Sequence, residues 1–523
     1  MKDWSRRELL EFMGVVGIAA YGASPLAAFA APKLPFSPLS SSLKDELQVA
    51  TGFEYDLIAS WGDVLTNSGD EFGYNNDYTA FFPLAKDDGL LWVNHENTNP
   101  LFVSDYRGTR SKTQVDIEMK TVGGSIIRIK KHKGRWQLVK NDPMNRRLDA
   151  NTPIPLVSEH PIAGERTAVG TMANCAGGQT PWGTALTCEE NYADFWGEVE
   201  FEDGKRRQAQ DSRYGWEKYY PRPPEHYGWV VEVDMKTGKA EKLTGLGRFA
   251  HEGATVVIAK NGLPVVYMGD DAQGQCIYKF VGDKKGSLKT GMLYVADTVR
   301  GVWMPLHVDK DPRLKKGFKN QTDLLVRTRE AAKFVGATPQ NRPEGIAAWN
   351  GVERLIVALT NNSTVGNWFG SLLRIIEDKN DPLSLNFEAK TFMAGGPYSS
   401  FASPDNVVFD KRGNLWMTSD MSDSNIGKEP YKPFGNNSLF YIPFAGPDAG
   451  KALRVANAPV EAELTGPSFS EDGNTMFLSV QHPGNRSKDK NKPTSTWPKG
   501  TIPKPSVVAI SGKTMEQLMA AKA

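Results

Sequence analysis

The chain has 523 residues, with 62 lysines and arginines against 61 aspartates and glutamates, a formal net charge of +1. That balance excludes a general nucleic-acid binder, which needs a basic excess or stripe to meet the phosphate backbone. Apolar residues at 40 % and charged residues at 24 % exclude a disordered chain, and three cysteines are too few for a disulfide scaffold.

The first thirty residues read as an export leader. Ser5-Arg6-Arg7-Glu8-Leu9-Leu10 carries an arginine pair, residues 13–30 are apolar, and Ala28-Phe29-Ala30 supplies a small-x-small cleavage site. Pro25 and a Gly/Ala-rich composition make the stretch too weak for a membrane span of about 20 apolar residues. The pattern predicts a leader over 1–30, carried by the twin-arginine translocase. The mature protein is then periplasmic or secreted, with no stable membrane anchor.

Beyond a Pro/Ser-rich lead at 32–42, short strand-like runs separated by turn signals dominate, and residues 512–523 are a short helical candidate. One pattern recurs six times: an apolar strand, a turn, then a second strand ending in polar or acidic residues. The pairs lie at 79–82 and 89–96, 176–178 and 182–190, 251–258 and 264–271, 342–349 and 353–362, 403–409 and 413–420, and 466–470 and 474–482. Further strands follow each pair, as at 124–129 with 135–139 or 371–375 with 387–391. Four strands in each of six units predict an all-β fold, a six-bladed β-propeller occupying 31–523 as one domain. Long spacers near 191–225 and 284–340 are expected to form a small accessory subdomain or lid, since structureless loops of that length are rare in a compact domain.

In a propeller, residues at matching blade positions meet at the axis although they are distant in sequence. Cys175, Glu252, Glu344 and Asp405 stand at or just before the start of innermost strands, and Glu96, Glu189, Glu190, Asp270, Asp271 and Asp420 end the next ones. So many carboxylates converge only if cations neutralise them or some stay protonated. Ca²⁺ suits carboxylates, carbonyls and the amides of Asn94, Asn361 and Asn406, whereas a Cys175 thiolate is a soft donor suited to iron or zinc. The plainer readings stand beside this one. A single strand-end acid is usually a turn or cap residue, Cys175 could be a packed thiol or pair with Cys188, and His95 and His251 fit as core histidines. Cys188 and Cys276 sit in apolar strands as packed thiols. Arg342, two residues before Glu344, could point into the same cavity and grip a phosphate bidentately. Walker, Gly-x-Ser-x-Gly, His-Glu-x-x-His and dinucleotide fingerprints are absent.

The segment Asn174-Cys-Ala-Gly-Gly-Gln-Thr-Pro-Trp-Gly-Thr-Ala-Leu-Thr-Cys-Glu-Glu190 resembles the signature of PhoX-type alkaline phosphatases. Phe249-Ala-His-Glu-Gly253, Val266-Tyr-Met-Gly-Asp-Asp271, Arg342-Pro-Glu-Gly345 and Ser403-Pro-Asp-Asn406 follow in the same order. The resemblance implies a monomeric, twin-arginine-exported, six-bladed propeller that hydrolyses phosphomonoesters with a cluster of two Fe3+ and two or three Ca2+. Carried onto matching positions, it implies Cys175, Glu190 and Glu252 as iron ligands and Asp271 and Glu344 as calcium ligands. Glu189 and Asp405 are further metal ligands in this reading, and Arg342 is the catalytic phosphate clamp. The implied chemistry is in-line attack on phosphorus by a metal-activated oxygen. Two other readings are a calcium-dependent propeller lactonase or esterase and an exported metal-binding protein without turnover; the thiolate favours the phosphatase over the lactonase.

Overall fold

Strand alternation and turn placement sort the chain into six antiparallel sheets. In the computed structural model, residues 34–520 are described except 107, 203 and 204; the expected leader at 1–30 lies outside them. From innermost outward, blade one is Asn76–Ala85, Asp88–His95 and Gly123–His132, with Arg135–Leu138 and Arg146–Leu148 both pairing with the third strand. Blade two is Asn174–Gln179, Thr184–Glu189, Val230–Asp234 and Ala240–Lys242. Blade three runs His251–Ile258, Pro264–Asp270, Ile277–Gly282, Gly291–Asp297 and Val302–Pro305, and blade four runs Pro343–Trp349, Arg354–Leu359, Ser371–Glu377 and Phe387–Ala394. Blade five comprises Pro404–Phe409, Leu415–Ser419, Ser438–Ile442 and Leu453–Asn457, edged by Gln48–Val49. Blade six is Glu463–Phe469, Met476–Gln481 and Ser506–Ser511, completed by the N-terminal strand Glu54–Ser60. The six innermost strands touch one another in sequence around a ring, with the last against the first. This is the six-bladed propeller.

Each blade packs on the next through an apolar layer. Between blades six and one, Phe81 stacks on Phe477 with centroids 5.2 Å apart, and Trp136 meets both rings edge-on at 5.5 Å. Burying each such ring contributes about 1.5–3 kcal/mol, and each aromatic pair about 0.5–1.5 kcal/mol more. Loss of Trp136 would therefore loosen the joint that the N-terminal strand completes.

The expected 284–340 spacer is partly blade. Residues 291–305 form its fourth and fifth strands, and the remainder folds into three short helices, Pro312–Gly317, Gln321–Val326 and Thr328–Val335, packed on the blade-three core through Leu314, Leu324 and Ala331. The spacer after Glu190 carries a helical turn and the exposed hairpin of Glu198–Glu202 with Lys205–Gln210. A third insertion, in blade one, was not apparent from the sequence: helix Lys112–Thr121 starts in a capping box in which Ser111 and Gln114 bond each other's backbone. Its Val115 and Met119 pack against Phe195, Trp196, Trp216 and Tyr227, joining the blade-one insertion to the one after Glu190. The helical candidate at the C-terminus forms as Lys513–Ala520. Among the described residues no helix is long and apolar enough to cross a membrane.

Candidate active site at the hub

Near the start of every innermost strand the pairing register slips. A bulge of this kind bends a strand and re-aims a side chain. The second residue of five of these strands (Asp77, Cys175, Glu252, Glu344 and Asp405) lines a cavity of about 420 Å³ at the axis, and in blade six Glu463 does so. A second tier comes from the residue just past the next strand: Glu96, Glu190, Asp271, Asp420 and His482. Blade four has Thr360 at that position. One backbone device places the tier in five blades, where this residue's N–H donates to the carbonyl just before the innermost strand. The bonds run from Glu96 to Asn75 (3.0 Å), Glu190 to Ala173 (2.9 Å), Asp271 to Ala250 (2.9 Å), Thr360 to Arg342 (3.1 Å) and Asp420 to Ser403 (2.8 Å). Asn75, Ala173, Arg342 and Ser403 hold left-handed backbone, with φ between 49° and 54°. Each costs about 1–3 kcal/mol, strain of the kind that collects at functional sites.

Of the expected ligands, Cys175, Glu190, Glu252, Asp271, Glu344 and Asp405 all reach this cavity; Glu189 does not. Side chains alternate along a strand, so Glu189, one residue before Glu190, faces the other way. There it binds Lys242 Nζ at 2.6 Å and accepts from the N–H groups of Gly228 (3.0 Å) and Trp229 (3.2 Å). Its oxygens are taken, and it leaves the ligand set. Asp270 is likewise held by Arg329, Nε to Oδ2 at 2.8 Å. All three cysteines are unpaired. His251 Nε2 donates to Gly247 O (2.8 Å) against the Phe249 ring, and His95 meets Ser125 Oγ (2.8 Å), so both are core histidines. Asn94 lies outside the cavity and positions the thiol's backbone, its Nδ2 donating to Cys175 O at 2.5 Å and Ala176 O at 2.9 Å.

Asp77, Glu463 and His482 complete the hub, and none was apparent as a site residue from the sequence. Asp77 accepts from the Cys175 thiol (3.2 Å), Gln481 Nε2 (3.2 Å) and Thr465 Oγ1. Gln481 also donates to Glu96 at 2.7 Å, and Asn191 bridges Glu190 (2.7 Å) to Glu96 (3.2 Å).

Arg342 enters from the blade-four side. Its Nε and Nη2 donate to the two oxygens of Asp271 at 2.8 and 2.7 Å, and Nη2 also lies 2.6 Å from Glu344 Oε1, without hydrogen-bonding alignment. The bidentate edge expected for phosphate is thus occupied by Asp271, and Nη1 is the nitrogen left to point at a ligand.

Ten carboxyl groups and one thiol face this cavity with only Arg213, Arg342 and His482 as basic partners. Burial, reinforced by neighbouring carboxylates, pushes Glu190, Glu252, Asp405 and Glu463 far above the usual carboxylate range. Burial also raises Glu344 far above it, against the pull of Arg342. The same effect brings Asp77 to about 6 and Glu96 to about 7 and raises the Cys175 thiol. Asp271 is the exception: burial works to raise it, but the adjoining Arg342 guanidinium holds it below the usual value. The chain alone cannot keep this cluster ionised.

The donor set fits cations. Ligand atoms of Cys175, Glu190 and Glu252 lie within 4.8 Å of one another, and so do those of Asp77, Glu96 and Cys175. Among the described residues, Asn75 Oδ1 and Asn97 Oδ1 line the cavity as buried oxygens without a donor. Orphaned oxygens call for positive charge. A thiolate beside carboxylates suits a transition metal, and all-oxygen positions suit calcium.

Fold and cavity together define a six-bladed β-propeller with a polyanionic, cation-demanding hub. The profile of the family described as Alkaline phosphatase PhoX matches residues 34–484. Pseudomonas fluorescens PhoX, solved in complex with vanadate, a transition state analogue, is 30 % identical with a TM-score of 0.82, covering 92 % of this chain and 98 % of that one. A protein of unknown function from Dyadobacter fermentans is 9 % identical (TM-score 0.41), covering 88 % of this chain and 100 % of that one. A gluconolactonase from Xanthomonas campestris is 11 % identical (TM-score 0.31), covering 84 % and 97 %. At those scores these two carry no argument. No curated protein matches the chain. The chain belongs to the PhoX alkaline phosphatase family, and it is a phosphatase.

Proposed function

We propose that this chain hydrolyses phosphomonoesters at the hub, releasing inorganic phosphate, with Cys175, Glu190 and Glu252 holding a pair of Fe3+ ions. Asp271, Glu344 and Asp405 then hold two or three Ca2+, and Asp77 and Glu96, which lie beside Cys175, complete the set. Bound cations supply Lewis acidity toward the phosphate oxygens and a nucleophilic oxygen at neutral pH. Arg342 binds the transferred phosphoryl group through Nη1 and offsets charge growing on its oxygens. Asp271 fixes the guanidinium plane, and the left-handed turn before Pro343 aims it at the axis. Asn406 keeps two carboxylates apart and oriented, donating to Asp405 Oδ1 at 2.6 Å and Glu252 Oε1 at 3.4 Å.

The observation that carries this reading is the meeting of one thiol and two carboxylates from blades two and three inside a cavity that also holds Arg342. A purely calcium-based lactonase site has no use for the thiol. The Ser5-Arg6-Arg7 leader supports export by the twin-arginine translocase to the periplasm or beyond, and the protein acts there as a monomer with a small-molecule substrate. Elemental analysis of natively exported protein, paired with p-nitrophenyl phosphate and lactone assays, tests the proposal. Iron and calcium with phosphomonoester turnover are expected; calcium alone with lactone turnover would overturn it.

A further inference from the structure

The mouth of the cavity carries its charge unevenly. The wall raised by blades five and six presents Asp420, Asp423 and Glu463. Across the ring, the blade-two insertion presents Arg213. Its backbone is fixed: the N–H groups of Arg213 and Tyr214 both donate to Asp194 O, at 2.8 and 3.0 Å. Buried Tyr214 donates to Thr98 O (3.2 Å) and accepts at its own carbonyl from Arg110 Nη1 (3.0 Å). The tip is committed through one nitrogen only. The Arg213 side chain is 69 % exposed, and its one hydrogen bond runs from Nη1 to Asp194 Oδ2 at 3.2 Å. On the same side, the Tyr74 hydroxyl, which can donate, lines the cavity, buried and without a partner. A positioned guanidinium with unused N–H donors, next to an unsatisfied hydroxyl, is suited to receive an acceptor group of a ligand.

We propose that Arg213 is a specificity-determining residue that binds a second anionic group, carboxylate or phosphate, on the leaving-group side of the ester. The planar fork of arginine matches both groups. Esters carrying such a group are therefore preferred over neutral ones. The assignment rests on the phosphatase reading, because it takes Arg342 as the contact to the scissile phosphoryl group.

Three substrates of one chain length test it: propyl phosphate, 3-phosphonooxypropanoate and propane-1,3-diyl bisphosphate, each with the metal-loaded parent, Arg213→Ala and Arg213→Lys. In Arg213→Ala, kcat/KM on the two substrates that carry a second anionic group should fall about tenfold more than on propyl phosphate, with most of the change in KM. Arg213→Lys should recover part of it, and the excess loss should shrink in high salt. An equal loss on all three substrates, or none, overturns the assignment while leaving the phosphatase reading intact. A difference confined to the carboxylate or to the bisphosphate identifies which anion Arg213 reads. Should the parent turn over none of the three, the phosphatase reading fails. Calorimetric binding of the same compounds to parent and variant then decides the role of Arg213 by the same tenfold criterion.

Discussion

Glu189 and Glu190 are neighbours in the chain and opposites in fate. On the outer side of the strand, Glu189 meets Lys242, both side chains fully buried, with every oxygen supplied by donors of the chain itself. Blades three and four do the same across their joint with Lys279 and Glu377, 3.0 Å apart and fully buried. At the hub, Glu190 has only the Asn191 amide for support and faces Asp271, Glu252 and Glu96. In both of these structural pairs the buried acid has a buried base with it. Where the protein gathers acids without bases, it leaves the missing charge to be supplied from outside, and that difference separates scaffold from site.

The sharpest way to break this contrast is to remove the metals. Chelation should abolish phosphomonoester turnover and readdition restore it, whereas the Lys242 and Lys279 pairs need no ion and should leave circular dichroism β-structured. Next come the two glutamates. Glu189→Gln strands a buried Lys242 charge and should cost about 3–5 kcal/mol in chemical denaturation. Glu190→Gln should instead remove transition metal and activity, and its metal-stripped form should melt at or above the metal-stripped parent. Equal destabilisation by both would erase the distinction. Arg342→Ala should lower kcat about 10²–10³-fold with metal content retained, and Arg342→Lys should recover little, since a point charge cannot keep both oxygens of Asp271 and still reach phosphate.

The smallest effect is one of pH. Burial gives Asp77 a folded value of about 6 and Glu96 about 7, above their ordinary 3.8 and 4.5. The metal-free folded state therefore binds more protons than the unfolded chain between about pH 4 and 7. Its stability falls as pH rises through that window, and goes on falling above it as the hub carboxyls raised further still give up their protons. With cations holding the carboxylates ionised, the dependence reverses, and stability is lost on acidification. Melting temperatures at pH 5 and pH 8, with and without metal, check both signs.

Six repeats of paired strands made the ring legible in the sequence, and Cys175, Glu252, Glu344 and Asp405 could be read from their shared place at strand starts. Asp77 and Glu463 could not. Their strands read as beginning at Thr79 and Gly466, because the register slips between Asn76 and Thr79, around Asp77, and between Thr465 and Ser468, just after Glu463. The parallel of Asn76-Asp77 with Asn174-Cys175 was the available signal. Glu189 was misassigned because two adjacent acids give no parity; only pairing with Val230–Asp234 fixes which faces the axis. The blade-one helix was missed because its apolar positions are few, with Val115 and Met119 as its buried hydrophobic residues.

The strand Glu54–Ser60 has a consequence for synthesis. Its partner Ser506–Ser511 emerges from the ribosome far later: Ser60 and Ser506, which bond through their hydroxyls, are 446 positions apart. An early segment must stay unpaired while five blades assemble, and the axial chamber has no finished wall until the nascent chain is nearly complete. Such a distant meeting makes folding slow relative to local contacts. A premature stop before residue 506 would leave an open arc that cannot enclose ions, however sound its individual blades.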